Sequence, residues 1–149
     1  MKPKSFAIWA NPGKKEVPGL VHEVMLWAKN NDIKLFLPNS LEHLKIAPNH
    51  PNVYDPSNPP NVDFLLCLGG DGTLIAGVRI FSKPTVPVLG VHIGGLGFLA
   101  QITPKELTEK LNMIKDSLSS EELLNLDASI KQTLYQKEIE NLAELISID

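Results

Sequence analysis

The sequence predicts an α/β fold, a parallel sheet flanked by helices, on three observations. Short apolar runs alternate with stretches of helical spacing. One run, Val62-Asp63-Phe64-Leu65-Leu66-Cys67-Leu68, is almost continuously apolar, as a central strand buried on both faces should be. Two of the runs lead into glycine-rich turns. Strand, helix and strand in that order make a βαβ unit, and its repetition gives a Rossmann-like plan.

Each element has its own signal. Phe6 to Ala10 is the first strand, stopped by Asn11-Pro12-Gly13. Pro18 to Asn31 is a helix: Leu20, Val21, Val24, Met25, Trp27 and Ala28 recur at helical spacing, with Pro18 near the start. Ile33 to Leu37 is the second strand, closed by Pro38. Residues 39–61 carry Pro48, Pro51, Pro56, Pro59 and Pro60 and read as a long Pro-rich surface loop, with a short helix near Leu41 to Lys45. Residues 62–68 form the central strand, and Leu74 to Phe81 the helix after it. Val86 to Val91 is a further strand, and Gly94, Gly95 and Gly97 make the following turn permissive. Thr103-Pro104-Lys105-Glu106 opens a helix that runs to about Lys115, with Thr103 as cap, Pro104 in the first turn and Glu106 closing a capping box. Residues 1–115 then form one α/β domain. Residues 116–149 read as a helical tail on the stripe Ile130, Leu134, Ile139, Leu142 and Ile146.

Composition narrows the function classes. A chain of 149 residues corresponds to one domain, and 43% hydrophobic with 21% charged residues excludes disorder, collagen and coiled coil for the whole chain. The net charge of −3 gives no basic excess for a nucleic-acid surface. Cys67 is the only cysteine, so neither an intrachain disulfide nor a four-cysteine zinc site is available. The apolar run behind the basic N-terminus is too short for a signal-peptide core, and no run approaches the ~20 apolar residues of a membrane helix. A soluble cytoplasmic protein is expected. His22, His43 and His50 lack ligand spacing, so no resident metal site is expected.

The chemistry concentrates in Gly69-Gly70-Asp71-Gly72-Thr73. Three glycines clear the side chains around one carboxylate, so backbone can approach a ligand closely. The helix that follows turns its free N–H groups and positive end toward this turn, which suits a polyphosphate. Asp71 repels phosphate, which points to a chemical role: a general base for a substrate hydroxyl, or a partner of Mg²⁺. The plainer alternative is a cap for the helix. A second glycine-rich turn, Leu89-Gly90-Val91-His92-Ile93-Gly94-Gly95-Leu96-Gly97-Phe98-Leu99, falls on the same sheet edge in a parallel sheet. Phe98 could there cover a planar ring or simply belong to the core. Lys14 and Lys15 read as surface lysines that could also meet phosphate, and Trp9 and Trp27 as core. Neither a Walker A loop nor a Gly-x-Gly-x-x-Gly fingerprint is present.

Taken together, the two glycine motifs and Asn11-Pro12 after the first strand resemble the NAD kinase family over roughly residues 5–115. The first motif alone also occurs in diacylglycerol and sphingosine kinases, with a related turn in phosphofructokinases; the Leu96-Gly97-Phe98-Leu99 element favours NAD kinase. The resemblance implies transfer of the terminal phosphate of ATP, escorted by Mg²⁺, to the 2′-hydroxyl of the adenosine ribose of NAD, giving NADP. It maps Asp71 onto the catalytic base, Gly72 onto backbone against the dinucleotide and Phe98 onto the residue near the adenine. Gly69, Gly70, Thr73, His92 and Gly94 join them as binding residues, with Arg79 as the nearest basic candidate.

The chain departs from the family pattern in that His92 stands where asparagine is usual, and no Asn-Glu pair of the family's second, β-rich domain is present. The expectation is therefore the first half of such an enzyme, with homo-oligomerisation left open. A non-catalytic nucleotide-binding or interaction module and a lipid-kinase-like phosphotransferase are the rival readings.

Overall fold

The chain lays its strands outward from the middle. The computed structural model describes residues 3–44, 50, 52–82, 86–94 and 102–116. Its sheet has five strands, all parallel, in the order β3-β2-β1-β4-β5. From the central β1 (Ser5–Ala10) the chain passes through α1 (Val17–Asn30) to β2 (Lys34–Pro38) and β3 (Val53–Tyr54). It returns to the other side of β1 as β4 (Phe64–Gly69), passes through α2 (Asp71–Ile80) and adds β5 (Val88–His92). Right-handed crossovers that run in opposite directions put their helices on opposite faces of the sheet. Strand alternation records this split. Phe6, Ile8 and Ala10 share a core with α1 and with α3 (Leu107–Asp116), whereas Ala7 packs with Leu74 and Val78 of α2. All six residues of β4 are buried, as its apolar run predicts.

The helices follow from their sequences. α1 buries Val17, Leu20, Val21, Val24, Trp27 and Ala28, the stripe expected at helical spacing. It stops because Asp32 takes a left-handed conformation, φ 53°. The Ile33 N–H then reaches back to the Ala28 carbonyl at 3.0 Å, and the Asp32 N–H to the Lys29 carbonyl at 3.4 Å. This is a Schellman ending with aspartate in the place glycine usually holds. Before α3, the Glu106 carboxylate accepts the Thr103 N–H and hydroxyl, both at 3.0 Å, at the capping box read from the sequence. A short 3-10 turn, Pro104–Glu106, precedes the α-helix proper. α3 is pinned to α1 by side chains: the Trp27 indole N–H donates to Asn112 Oδ1 at 2.8 Å and the Thr108 hydroxyl to Glu23 Oε1 at 2.7 Å.

Two details depart from the sequence reading. The Pro-rich stretch contains a strand, β3, which two residues are too few to announce by alternation. A 3-10 helix, Asn39–Leu44, precedes it, close to the expected short helix. α2 begins at Asp71 rather than Leu74, because the glycine motif is itself the first turn of the helix. From residue 117 on, the expected helical tail lies outside the described residues. Among the described residues, no helix is long and apolar enough to cross a membrane.

β3 explains an otherwise missing hydrogen bond. The β1–β2 ladder starts with the Lys34 N–H on the Lys4 carbonyl at 2.9 Å. Parallel pairing repeats every second residue, so the next donors are residues 36 and 38, aimed at the carbonyls of Phe6 and Ile8. Pro38 has no N–H to give. The Tyr54 hydroxyl, buried, donates to the Ile8 carbonyl instead at 2.6 Å. Burial pushes its phenol well above the ordinary range, so it stays a donor. Tyr54→Phe therefore leaves a buried carbonyl unsatisfied. It should cost about 1–3 kcal/mol in chemical denaturation, with little change in the slope of the transition.

Candidate functional site

The sheet has one point where consecutive connections diverge, between β1 and β4. Open α/β sheets bind ligands there, at the carboxyl ends of the strands. An open cleft of about 500 Å³ lies at this point. The loop after β1 supplies Asn11, Pro12 and Lys14, and the start of α2 supplies Gly70, Gly72 and Thr73. Trp9 and Ala76 line it from the sheet and from the second turn of the helix.

Three strand ends are stapled together below the cleft. The Asn11 N–H donates to the Leu68 carbonyl and the Ile93 N–H to the Gly69 carbonyl, both at 3.0 Å. Gly69 and His92 are register partners, so the strands that lead into the two glycine motifs end side by side. The Asn11 loop is also closed on itself. Its side-chain oxygen accepts the Gly13 N–H at 2.9 Å and its carbonyl the Lys14 N–H at 3.2 Å.

The glycines of the first motif have different causes. A Cβ on Gly69 would stand 2.5 Å from Thr73 Oγ1, so Gly69 lets the helix start lie directly on the strand end. A Cβ on Gly70 or Gly72 would meet nothing within 4 Å. Gly72 is exposed and sits inside a helix, where glycine costs ~1 kcal/mol relative to alanine. Packing does not require it. Further along α2, a Cβ on Gly77 would stand 2.7 Å from Cys67 Sγ and 3.1 Å from Trp9 Cδ1. Gly77 thus brings the helix close to β4 and β1. Cys67 is buried beneath this contact, and burial pushes its thiol far up, so it stays protonated and unreactive.

The structure brings some of the sequence-derived candidates together and separates others. Gly70, Gly72 and Thr73 line the cleft. Asp71 is half-buried and is the first residue of α2; the cap position belongs to Gly70, so the capping alternative does not describe it. Its neighbours on both sides line the cleft, but Asp71 is not itself among the lining residues. A carboxylate in the first turn of a helix lies where negative charge is favoured. His92 ends β5, and Gly94, at φ 97°, follows in the left-handed region that suits glycine. Arg79 is exposed in the last turn of α2, eight residues or about 12 Å along the axis from Asp71, away from the cleft. Phe98 lies outside the described residues.

Trp9 and Lys14 line the cleft, although the sequence reads Trp9 as core and Lys14 first as a surface lysine that could also meet phosphate. Trp9 reads as core because it stands in a short apolar strand, yet it is half-buried at the sheet end nearest the cleft. Lys14 reads as one of two adjacent surface lysines. A signal was present: it stands two residues beyond Pro12, on the loop that leaves the first strand. No group of three His, Cys, Asp or Glu side chains converges among the described residues.

A family model of the ATP-NAD kinase N-terminal domain matches residues 6–117. The NAD kinase of Syntrophotalea carbinolica is 31% identical over 128 residues, 85% of this chain and 45% of that protein. The NAD kinase of Chloroherpeton thalassium is 32% identical over 127 residues, 84% of this chain and 43% of that protein. The chain thus spans less than half the length of these relatives. Among solved structures, yeast NADH kinase complexed with NADH matches with a TM-score of 0.63 at 22% identity, covering 76% of this chain and 38% of that one. That likeness is one of fold.

The two classes of glycine should separate in stability measurements. Gly77→Ala is expected to lower unfolding free energy by about 1–3 kcal/mol through overpacking. Gly72→Ala is expected to raise it by about 0.5–1 kcal/mol, because the site is open and alanine is the better helix residue. Urea denaturation of the two variants beside the parent checks both signs.

Proposed function

The chain belongs to the NAD kinase family through that family's N-terminal domain, and from this premise we propose that it carries the phosphoryl-transfer half of an NAD kinase site. The reaction moves the terminal phosphate of ATP to the 2′-hydroxyl of the adenosine ribose of NAD, giving NADP and ADP. The observation that carries this reading is the glycine turn at the β1–β4 divergence. Gly70 and Gly72 line the cleft with open space beside them, and Asp71 stands between them at the start of α2.

Each part has a physical task. The free N–H groups and positive end of α2 attract phosphate oxygens, and the bare backbone of Gly70 and Gly72 lets them approach. Asp71 accepts the ribose hydroxyl proton as that oxygen attacks the terminal phosphorus and ADP leaves. Mg²⁺ carried by ATP would be held by phosphate oxygens, with Asp71 as the carboxylate of this turn, and would offset the charge of the phosphates. His92 and Gly94, beside Gly69 at the next strand end, stand close to the bound nucleotides. The family match favours this acceptor over a lipid. A cytoplasmic location and residues 1–115 as the functional domain belong to the same reading.

The test is NADP formation from NAD, ATP and Mg²⁺ by the purified chain and by Asp71→Asn. A general base contributes about 10²–10⁴-fold in rate, so Asp71→Asn should raise the barrier by roughly 3–5 kcal/mol, while the loss of the first-turn charge lowers stability by only about 0.3–1 kcal/mol. Equal turnover in parent and variant would reject Asp71 as the base. Gly72→Ala, which stabilises the fold, should weaken nucleotide binding in the same assay.

A further inference from the structure

We propose that Lys14 is the clamp for the donor's polyphosphate chain, holding it against the N-terminus of α2; the assignment rests on the phosphotransferase reading above. Lys14 is held in place. Its N–H donates to the Asn11 carbonyl at 3.2 Å and its carbonyl accepts the Val17 N–H at 3.1 Å, so both backbone groups are committed. The loop that carries it is tied to β4 through Asn11. From there the half-buried side chain lines the cleft and crosses the end of β4 toward the loop after β5. Its Nζ lies 3.1 Å from where a Cβ on Gly94 would stand. Gly94 thus provides the room in which the ammonium rests.

The electrostatics of this arrangement call for an anion. Lys14 is the charged side chain among the described residues that line the cleft. Among the described residues it forms no ion pair. The other wall is the start of α2, which carries about half a positive charge. Two positive groups therefore face one cleft, and Asp71, in the helix's first turn, offsets them only in part. A chain of phosphates lying between them satisfies both, with the ammonium on one side and backbone N–H groups on the other. A lysine suits this task as a flexible point charge with three donors. The nucleotide donor and the dinucleotide both carry linked phosphates. The donor is favoured because its chain of three phosphates is the longer and more highly charged of the two, and Lys14 and the Gly70–Gly72 backbone line one cleft.

The experiment is calorimetric titration of the full chain and of K14M, K14R and K15M with inorganic tripolyphosphate, Mg-ATP and NAD, with melting midpoints measured alongside. Lys15 is the adjacent exposed lysine and controls for net charge. K14M should weaken tripolyphosphate and Mg-ATP by about tenfold or more, while K14R stays within about threefold of the parent. K15M should match the parent, and NAD affinity should change less than about twofold in all variants. Equal tripolyphosphate affinity in parent and K14M overturns the assignment. So does a loss confined to NAD, and so does a parent that binds no tripolyphosphate. Lys14-dependent tripolyphosphate binding without NADP formation would keep the clamp and remove the kinase reading. NADP formation that needs Asp71 but ignores K14M would do the reverse.

Discussion

The distance between α2 and the sheet governs the rest of the molecule. Two glycines set it. Gly69 accepts the Thr73 side chain against its bare Cα, and Gly77 admits Cys67 and Trp9 about two turns later. A helix held this close aims its first turn at the end of β4, where β1 and β4 part. The candidate site is thus a result of packing before it is a matter of chemistry.

The site is also built on groups that do not move easily. Backbone hydrogen bonds join the ends of β1, β4 and β5, and the Asn11 side chain closes its own turn. Much of what a ligand would touch is main chain, from Gly70 and Gly72. Main chain fixed by a sheet loses little freedom on binding, so less of the binding energy is lost to ordering. Lys14 and Asp71 are then the side chains whose position a ligand must share, and they come from opposite sides of the divergence point.

Much of this was legible in the sequence. The apolar stretch at residues 64–68 could be little else than a buried parallel strand, and Thr103 to Glu106 spelled a helix start that the structure contains. Glycines beside a carboxylate marked the ligand-facing turn. Other features were hidden for physical reasons. β3 has two residues, below the length at which alternation has meaning. The role of Gly77 depends on what lies under a helix, and periodicity does not report that. Trp9 obeys the pattern of a core residue and departs from it only because the strand ends there. Lys14 and Arg79 were both candidate cations near a motif; only the three-dimensional path of the loop after β1 separates the one in the cleft from the one at the far end of α2.

The outer strands carry a different consequence. A parallel sheet displays unpaired N–H and C=O groups along each rim, and such a rim is a template on which other chains can polymerise. Here one rim is β3, whose two residues offer a very short row of rungs, with Pro56, Pro59 and Pro60 following close behind. At the other, Ile102 returns to lie parallel beside Val91: the His92 N–H donates to the Ile102 carbonyl at 2.8 Å. Short or covered rims of this kind leave a sheet rich in Leu, Ile, Val and Phe few free rungs for another chain to pair with.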